Sequence, residues 1–550
     1  MRRVHIKAIK GTALPIALLL AGGLFFTGCS KDREQAEEMT DIIGTKLTLK
    51  ITGIDESITV STSGTEAKTT EEKSGMTKVL EYPEFDALLS VDNYLPLRSS
   101  AKAASNPLLA QSLKAVTIEN GVKYRLYLFS QDGSRLISST LLTSGTQASI
   151  DVLKGTTYRW AALSYNTAED VPDILQESTK IVLPAGKDIL YTSGEVVVPT
   201  GAGNINVPID ITFKHKFARL AVELNSQGMF ANMTGAKVNV TGIKTATIDV
   251  VTGGLSDLVS ADQEMPLTVF KDVDPLYQDD KITYVYTADP MAVTGGIKVG
   301  VSDLSIRIDD NTIRQFSSAP VNFAFNITPV LGNSHRLLVN LVESPLTIDA
   351  VRWARQNLYY QAGHNPYRFH HTYAHSNARN TYFSFKGLVP DQFGINSDPC
   401  AQVYPAGIWR QASESDFRKL TGLLGLGGKT PAYGTVNNRG YYEYDAVGVA
   451  APYPNNKLHF NFNGGSTAVS LLNGVVQATF GNYGTRVELW TGSSGLDLGG
   501  LAGLGAWYYS GSKNLLGGNS ADLFASLLNV SIIGVNVIQS QMKNVRCVRK

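Results

Sequence analysis

Short stretches in which apolar and polar residues alternate recur through the middle of the chain, and they restrict the fold more than any other feature. Residues 123–129 and 135–142 form one such pair, joined by an Asp-Gly turn that is typical of a β-hairpin. Residues 157–165 form an apolar, aromatic run suited to a buried strand. Because successive side chains of a strand point to opposite faces of a sheet, this pattern predicts a mainly β protein built from antiparallel β-sandwiches.

The length and the turn-rich stretches predict how the chain divides into domains. Its 550 residues are enough for about three domains. A Pro-Thr-Gly-Ala-Gly-Asn stretch at 199–204 and the dipeptide at 344–345 mark two boundaries. They predict a first sandwich at residues 99–200 and a second at residues 201–345.

The character of the sequence changes after the second boundary. Residues 346–550 hold four of the five tryptophans, together with many Tyr, Gly and Asn residues. One helix is predicted at residues 412–424, where Ser413 is a suitable N-cap and the first turn is acidic. The rest is typical of short strands and long loops, so this region is predicted to be an α+β domain.

The first 29 residues have the layout of a lipoprotein signal peptide. A positively charged start precedes the short apolar stretch 12–26, and small residues then lead to Cys29. The prediction is a signal peptide at residues 1–29, with Cys29 acylated and inserted in the outer membrane. The alternative is an ordinary secretory signal with a chance cysteine. No second apolar stretch of about 20 residues follows, so the mature protein is expected to be anchored or released rather than to span the membrane.

One alternating strand stands apart from the others near the start of the mature chain. Residues 45–54 place Leu47, Leu49 and Ile51 on one face, which is the pattern of a half-buried strand. Residues 55–77 are rich in Ser, Thr, Gly, Glu and Lys, and little strand pattern follows before residue 107. We therefore predict a single strand separated from the sandwiches by a long, poorly structured stretch.

Charge and cysteine content exclude several classes of protein. The three cysteines are too few for a disulfide scaffold and lack the paired spacing of a zinc site. Export places Cys400 and Cys547 in an oxidising environment, where a bridge could constrain the third domain; two free buried cysteines are the alternative. The formal net charge is +1 and no Lys/Arg stripe occurs, so no nucleic-acid partner is predicted.

The sequence offers no persuasive catalytic or metal-binding site. The Gly-rich stretch 425–430 lacks the first glycine of a phosphate loop, and Pro431 follows where a helix should begin. A solvated loop is preferred over a metal site for four neighbouring histidines, His364, His370, His371 and His375. With no nucleophile elbow and no paired carboxylates, we predict no catalytic residue, no metal and no cofactor, and we do not expect an enzyme.

The order of these segments resembles that of the fimbrillins of type V pili. A cysteine lipobox, the strand at 45–54, a cleavable stretch, the hairpin strand at 124–129 and the segment 157–166 follow one another as in that family. Residues 211–224 resemble the segment that opens the second fimbrillin domain. The resemblance covers residues 20–343 and implies two transthyretin-like β-sandwiches.

Residues 346–550 resemble a different family, the C-type-lectin-like modules. The matching pieces are Trp353-Ala-Arg-Gln-Asn-Leu, Asp-Pro-Cys400 and Val-Arg-Cys547-Val. The family pairs the two cysteines, which implies a disulfide between Cys400 and Cys547. The sequence contains none of the Glu-Pro-Asn, Gln-Pro-Asp or Trp-Asn-Asp tripeptides of calcium-dependent sugar binding. Calcium-dependent sugar binding is therefore not expected. The expected ligand of this module is a protein, or a molecule that the sequence does not identify.

The fimbrillin resemblance implies assembly by donor-strand exchange. In that family an Arg-specific extracellular protease, a gingipain, removes the N-terminal strand. Arg98 is the only arginine between Arg33 and Arg125, so cleavage between Arg98 and Ser99 is predicted and residues 30–98 form the propeptide. The alternative is that Arg98 is an ordinary surface residue. Loss of the strand would leave a groove that captures a strand from another subunit.

The fusion of the two families resembles an accessory tip subunit of fimbriae. A globular module occupies the position of the donor strand, so the chain is expected to accept a strand but not to donate one. Expected partners are other fimbrial subunits, the processing protease, the lipid of the outer membrane in the precursor, and a host or bacterial surface receptor. The expected location is the outer membrane and then the extracellular fimbrium. A permanently lipid-anchored glycan-binding protein is the main alternative, and a surface hydrolase the weakest.

Overall fold

The computed structural model describes most of the chain outside the N-terminal region. The described residues are 44–55, 79–92, 116–174, 178–289, 293–390, 392, 396–423, 426–472, 475–494, 505–513, 519–526, 531–532, 535–536 and 541–550. The predicted signal peptide, Cys29, Arg98 and Ser99 lie outside these ranges. Within them, no helix has the length and apolar character needed to cross a membrane.

A single seven-stranded sheet, curled over its own apolar face, forms the first sandwich. Its strands are β1 (Thr45–Asp55), β4 (Lys123–Ser130), β5 (Leu136–Thr143), β6 (Ala148–Asp151), β7 (Thr157–Ser164), β9 (Leu190–Val197) and β10 (Ile205–His215). They are ordered β5-β4-β7-β9-β10-β1-β6. Leu47 on β1 and Leu126 on β4 belong to one core although three strands separate them in the sheet. The sheet therefore bends until its two halves face each other.

Two six-stranded sheets form the second sandwich. The first has the order β14-β15-β11-β19-β3-β2 and comprises β2 (Leu80–Glu81), β3 (Phe85–Asp92), β11 (Ala218–Gly228), β14 (Lys271–Asp272), β15 (Asp280–Thr287) and β19 (Ser334–Glu343). The second comprises β8 (Lys180–Val182), β12 (Asn232–Asp249), β13 (Leu255–Pro266), β16 (Val293–Arg307), β17 (Ile313–Gln315) and β18 (Val321–Ile327). Its path is β13-β12-β16-β17, with β8 on β12 and β18 on β16. A 3₁₀ helix, Leu267–Val269, follows β13.

Small sheets around one short helix, α1 (Glu414–Thr421), form the third domain. One sheet has the order β20-β21-β39-β25: β20 (Leu346–Ile348), β21 (Val351–Trp353), β25 (Trp409–Gln411) and β39 (Cys547–Arg549). A seven-stranded sheet comprises β24 (Phe383–Ser384), β31 (Gly465–Leu472), β32 (Val475–Gly481), β33 (Val487–Ser494), β34 (Ala506–Lys513), β35 (Asn519–Ser526) and β38 (Met542–Val545). Three hairpins are β22 (Leu358–Tyr360) with β23 (Tyr367–Phe369), β26 (Gly422–Leu423) with β27 (Leu426–Gly427), and β36 (Ser531–Ile532) with β37 (Val535–Asn536). The remaining elements are β28 (Ala432–Val436), β29 (Arg439–Asp445) and β30 (Lys457–Asn461) in one sheet, and 3₁₀ helices Arg379–Thr381 and Pro399–Gln402.

The capping of α1 agrees with the sequence prediction. The Ser413 hydroxyl accepts a hydrogen bond from the Asp416 N–H at 3.2 Å, and the Asp416 carboxylate accepts one from the Ser413 N–H at 2.7 Å. This reciprocal capping box satisfies two backbone donors at the start of the helix. The helix ends at Thr421, three residues before the predicted end, because Gly422 adopts a φ of 71° and turns the chain into β26.

The first sheet continues past the predicted boundary at residue 200. Strand β10 follows that point in sequence but lies inside the first sheet, between β9 and β1. The run 211–224, interpreted as one opening segment of the second sandwich, is divided between β10 and β11, which belong to different sheets. The polar residues between its two apolar parts lie where the chain passes from β10 to β11. The alternation of apolar and polar residues alone does not reveal this change of sheet.

The sequence predicts antiparallel sandwiches, but each sandwich also contains one pair of parallel strands. Strand β1 runs parallel to β10, and β11 runs parallel to β19. In each pair, long stretches of chain separate the two strands in sequence, as a parallel pairing requires. Hairpin signals identify antiparallel neighbours only, so both parallel pairs escaped prediction.

Cys400 and Cys547 form a disulfide, with their Cα atoms 5.6 Å apart. The bridge ties the 3₁₀ helix Pro399–Gln402 to β39, and both cysteines are fully buried in the core of the third domain. Because the two positions are 147 residues apart, the bridge closes most of the domain into one covalent loop.

Replacement of both cysteines by alanine should destabilise the third domain. Opening a loop of this length should lower the free energy of unfolding by up to about 5 kcal/mol, since the denatured chain regains conformational entropy. Thermal unfolding followed by tryptophan fluorescence measures the change. The signal reports mainly on the third domain, because four of the five tryptophans lie in residues 346–550. An unchanged melting temperature of the third domain would show that the bridge is dispensable.

Candidate functional site

Residues that precede Arg98 supply strands to both sandwiches, which makes them the candidate functional site. We call residues 44–55 and 79–92 together the N-terminal segment. Strand β1 lies between β10 and β6 of the first sheet, and we call this position the first seat. Strands β2 and β3 lie beside β19 of the second sandwich, and we call their position the second seat. The two strand-forming parts are separated in sequence by residues 56–78.

In the first seat, the apolar face of β1 completes the core of the first sandwich. Leu47 is fully buried and Leu49 is 7% exposed, while Ile51 is half-buried and packs against the same core. These are the three residues that the alternation places on one face. Their neighbours in the core include Tyr124 and Phe213. Without β1, this apolar surface would face solvent.

The backbone of β1 is hydrogen-bonded along both of its edges. Residues 45–51 of β1 are in continuous register with 205–211 of β10, and residues 46–49 are in antiparallel register with β6. At one end the Thr45 carbonyl accepts a bond from the Val152 N–H at 3.1 Å. Strand β1 is therefore an interior strand, and its removal would leave β10 and β6 with unpaired N–H and C=O groups.

The second seat holds a strand that the sequence analysis missed. The region before residue 107 was predicted to have little strand pattern, yet Phe85–Asp92 pairs antiparallel with β19 along all eight residues. Phe85, Ala87 and Leu89 enter the core of the second sandwich. Leu88 on the opposite face is also buried. A strand covered on both faces loses the apolar-polar alternation, and this is why its period was not recognised.

The outer face of β3 lies against the third domain. There Asp86 accepts a hydrogen bond from Arg549 Nη2 at 2.9 Å, and each of the two side chains is 2% exposed. Burial raises the pKa of Asp86 and lowers that of Arg549 to about 10, while the attraction between the two charges opposes both shifts. Arg549 therefore remains protonated at neutral pH, and Asp86 is the carboxylate that it contacts.

Two further contacts tie the second seat to the third domain. The Tyr453 hydroxyl donates to the Glu84 carbonyl at 2.7 Å, and the Tyr453 ring belongs to the core of the second sandwich. The Arg355 guanidinium stacks 3.6 Å from the centroid of that ring. Arg352 pairs with Glu81 on β2. Residues 79–92 thus lie at the junction of the second sandwich and the third domain.

An Arg-specific protease could cleave this region after Arg98 or after Arg125. Arg98 and Ser99 fall between the end of β3 at Asp92 and the next described residue, Val116, and so lie outside the described residues. Arg125 lies in β4, where its guanidinium donates to the Val171 carbonyl at 2.8 Å and pairs with Asp173 at 3.4 Å. Cleavage after Arg125 would require the first sheet to open.

The four histidines are dispersed among separate contacts rather than gathered around one point. His364 stacks on Tyr277 and pairs with Asp279 of the second sandwich at 2.7 Å. Burial lowers the pKa values of His370 and His371 to about 4. His375 bonds to a backbone carbonyl. In the described ranges, no group of three His, Cys, Asp or Glu side chains is arranged to hold a metal ion.

Comparisons with known proteins give weak similarities only. No protein-family model and no curated protein matches the chain. A candidate cell adhesion protein from Bacteroides fragilis is 14% identical over 46% of this chain and 89% of its own, with a TM-score of 0.29. A fimbrial assembly protein from Parabacteroides distasonis is 13% identical over 39% and 82%, with a TM-score of 0.24. The fimbrial anchor protein Mfa2 from Porphyromonas gingivalis is 10% identical over 56% and 97%, with a TM-score of 0.25.

These TM-scores are too low to assign a function to this chain.

Truncation of a core residue of β1 should weaken the first seat specifically. Leu47→Ala removes fully buried methyl groups, and it should lower the free energy of unfolding of the first sandwich by about 2–5 kcal/mol. Lys50→Ala, on the exposed face of the same strand, is the matched control and should change it by less than about 0.5 kcal/mol. Hydrogen exchange of the backbone amides of the first sandwich, followed by mass spectrometry in a denaturant titration, measures both. Equal effects of the two substitutions would contradict the assignment of the faces.

Proposed function

We propose that the chain is a structural and adhesive subunit of surface fimbriae, assembled when its N-terminal segment is exchanged for a strand of a neighbouring subunit. The observation that carries the proposal is the position of β1, an interior strand of the first sheet supplied by residues that precede Arg98. The resemblance of the sequence to fimbrillins supports the same function. In the proposed sequence of events, lipidation at Cys29 and export to the outer membrane precede cleavage at Arg98.

The physical argument rests on what β1 leaves behind. An apolar groove flanked by two rows of unpaired backbone groups is unstable in water, and an extended strand from another chain satisfies both requirements. Backbone hydrogen bonds to β10 and β6 would supply affinity, and pockets vacated by Leu47 and Leu49 would supply specificity. Assembly then requires no energy source other than the pairing itself.

The third domain supports a terminal position in the fimbria. Strands β38 and β39 are built into its sheets, and Cys547 on β39 is covalently bound to Cys400. Residues 542–549 are therefore held in place and are not available to fill the groove of another subunit. In this proposal the chain accepts a strand, and its third domain contacts a receptor on a host cell or another bacterium.

A second candidate function is a permanently lipid-anchored surface protein that binds glycans. It is favoured by the burial of β3 on both faces and by its ion pair with Arg549, which make residues 79–92 an integral part of the junction. If these residues never leave, the chain stays connected to Cys29. The two candidates therefore differ in the fate of the N-terminal segment.

Substitution of Arg98 should separate the two candidates. We expect Arg98→Ala to abolish processing and to exclude the protein from fimbriae, while Lys102→Ala, a nearby change of a basic residue, should leave both intact. N-terminal sequencing and intact mass of the protein in sheared, purified fimbriae measure the outcome, and wild type should begin at Ser99. Wild-type protein that begins at an acylated Cys29 and is absent from fimbriae would favour the anchored protein.

A further inference from the structure

We infer that the second seat selects its occupant by charge: a strand that replaces β3 must carry a carboxylate at the position of Asp86. Apolar side chains are required on either side of it, at the positions of Phe85 and Ala87. The inference rests on the proposed function, since it concerns the strand that enters once residues 79–92 have left. The partner it specifies is an extended segment of a neighbouring subunit with an apolar-acidic-apolar pattern.

Two different environments meet along this strand. Its inner side chains enter the core of the second sandwich, where Phe85 packs edge-on against Phe316 at 5.6 Å between ring centroids. Its outer side chains face the third domain, where Asp86 meets Arg549. Because side chains alternate along a strand, an entering strand in the register of β3 cannot present its acidic and apolar residues in any other order.

The guanidinium of Arg549 is held at this seat by contacts that do not involve β3. Arg549 lies on β39, paired with Trp409 of β25, and its guanidinium stacks 4.0 Å from the centroid of the Trp409 ring. Its Nη2 atom also donates to the Glu343 carbonyl of β19 at 2.9 Å. The positive charge is therefore in position before any strand arrives.

An entering strand without a carboxylate would cover this charge without neutralising it. In the described structure the Nε and Nη1 atoms of Arg549 have no hydrogen-bond partner, so the Asp86 contact is not duplicated by another carboxylate. Glu343 is nearby, but it is buried and also faces Arg314 at 4.0 Å. A buried guanidinium that is stripped of water and loses its hydrogen-bonded carboxylate is strongly unfavourable, so neutral and basic strands are rejected.

Another acidic residue of the segment, Glu81, offers a matched control. Glu81 on β2 pairs with Arg352, but their side chains are 58% and 33% exposed. Ion pairs that remain in contact with water contribute little to binding. Loss of the carboxylate at Glu81 should therefore be tolerated, although the change in net charge is the same as at Asp86.

The test uses the full mature chain after cleavage at Arg98. The cleaved chain is mixed with labelled peptides of residues 44–55 or of residues 79–92. Fluorescence anisotropy gives the affinity of each peptide. We expect the 79–92 peptide carrying Asp86→Asn to bind at least about 10-fold more weakly than the unchanged peptide, and the Glu81→Gln peptide to differ by less than about 2-fold. In chains with Arg549→Met the preference for Asp86 should disappear, and in Arg549→Lys chains it should persist.

The outcomes separate this inference from the proposed function. If the 44–55 and 79–92 peptides both bind but Asp86→Asn makes no difference, the charge selection is wrong and strand exchange survives. If a preference for Asp86 remains in Arg549→Met chains, another group is responsible and the inference is again overturned. If neither peptide enters the cleaved chain, the segment does not exchange, and the inference falls together with the proposed function.

Discussion

The pairing of the N-terminal segment with both sandwiches is the constraint on which the rest of the structure depends. Strand β1 closes the ladder between β10 and β6, and β3 closes the edge of β19 while the third domain covers its outer face. Buried backbone groups must be hydrogen-bonded, so neither sandwich can simply lose its strand and remain as it is. Each seat has to keep the segment or receive another strand.

The second seat also links parts of the chain that are far apart in sequence. Asp86 of the N-terminal segment contacts Arg549 of β39, and Tyr453 of the third domain reaches the core beneath β3. Removal of residues 79–92 would therefore loosen the contact between the second sandwich and the third domain, and a new strand would restore it. On this account, occupation of the second seat and the placement of the third domain are energetically coupled, because both use the same buried charge.

The sequence predicted those strands and helices that have one face exposed to solvent. The alternation of Leu47, Leu49 and Ile51 was visible because the opposite face of β1 is polar, and the Ser413 cap was visible because its chemistry is local. Strand β3 was missed because the third domain buries its outer face, and a domain that is distant in sequence leaves no trace in the local pattern. The pairing of Asp86 with Arg549, 463 residues apart, escaped for the same reason.

A reversible lock on β1 tests the central claim most directly. Thr48 on β1 lies directly opposite Ser149 on β6, so Thr48→Cys with Ser149→Cys can join the strands covalently. The chain is cleaved after Arg98 and its incorporation into fimbriae is measured with and without reductant, with each single-cysteine variant as a control. The account predicts that the oxidised double variant stays out of fimbriae and that reduction restores its entry to the level of the controls. Equal incorporation of the locked and the reduced protein would show that β1 does not have to leave.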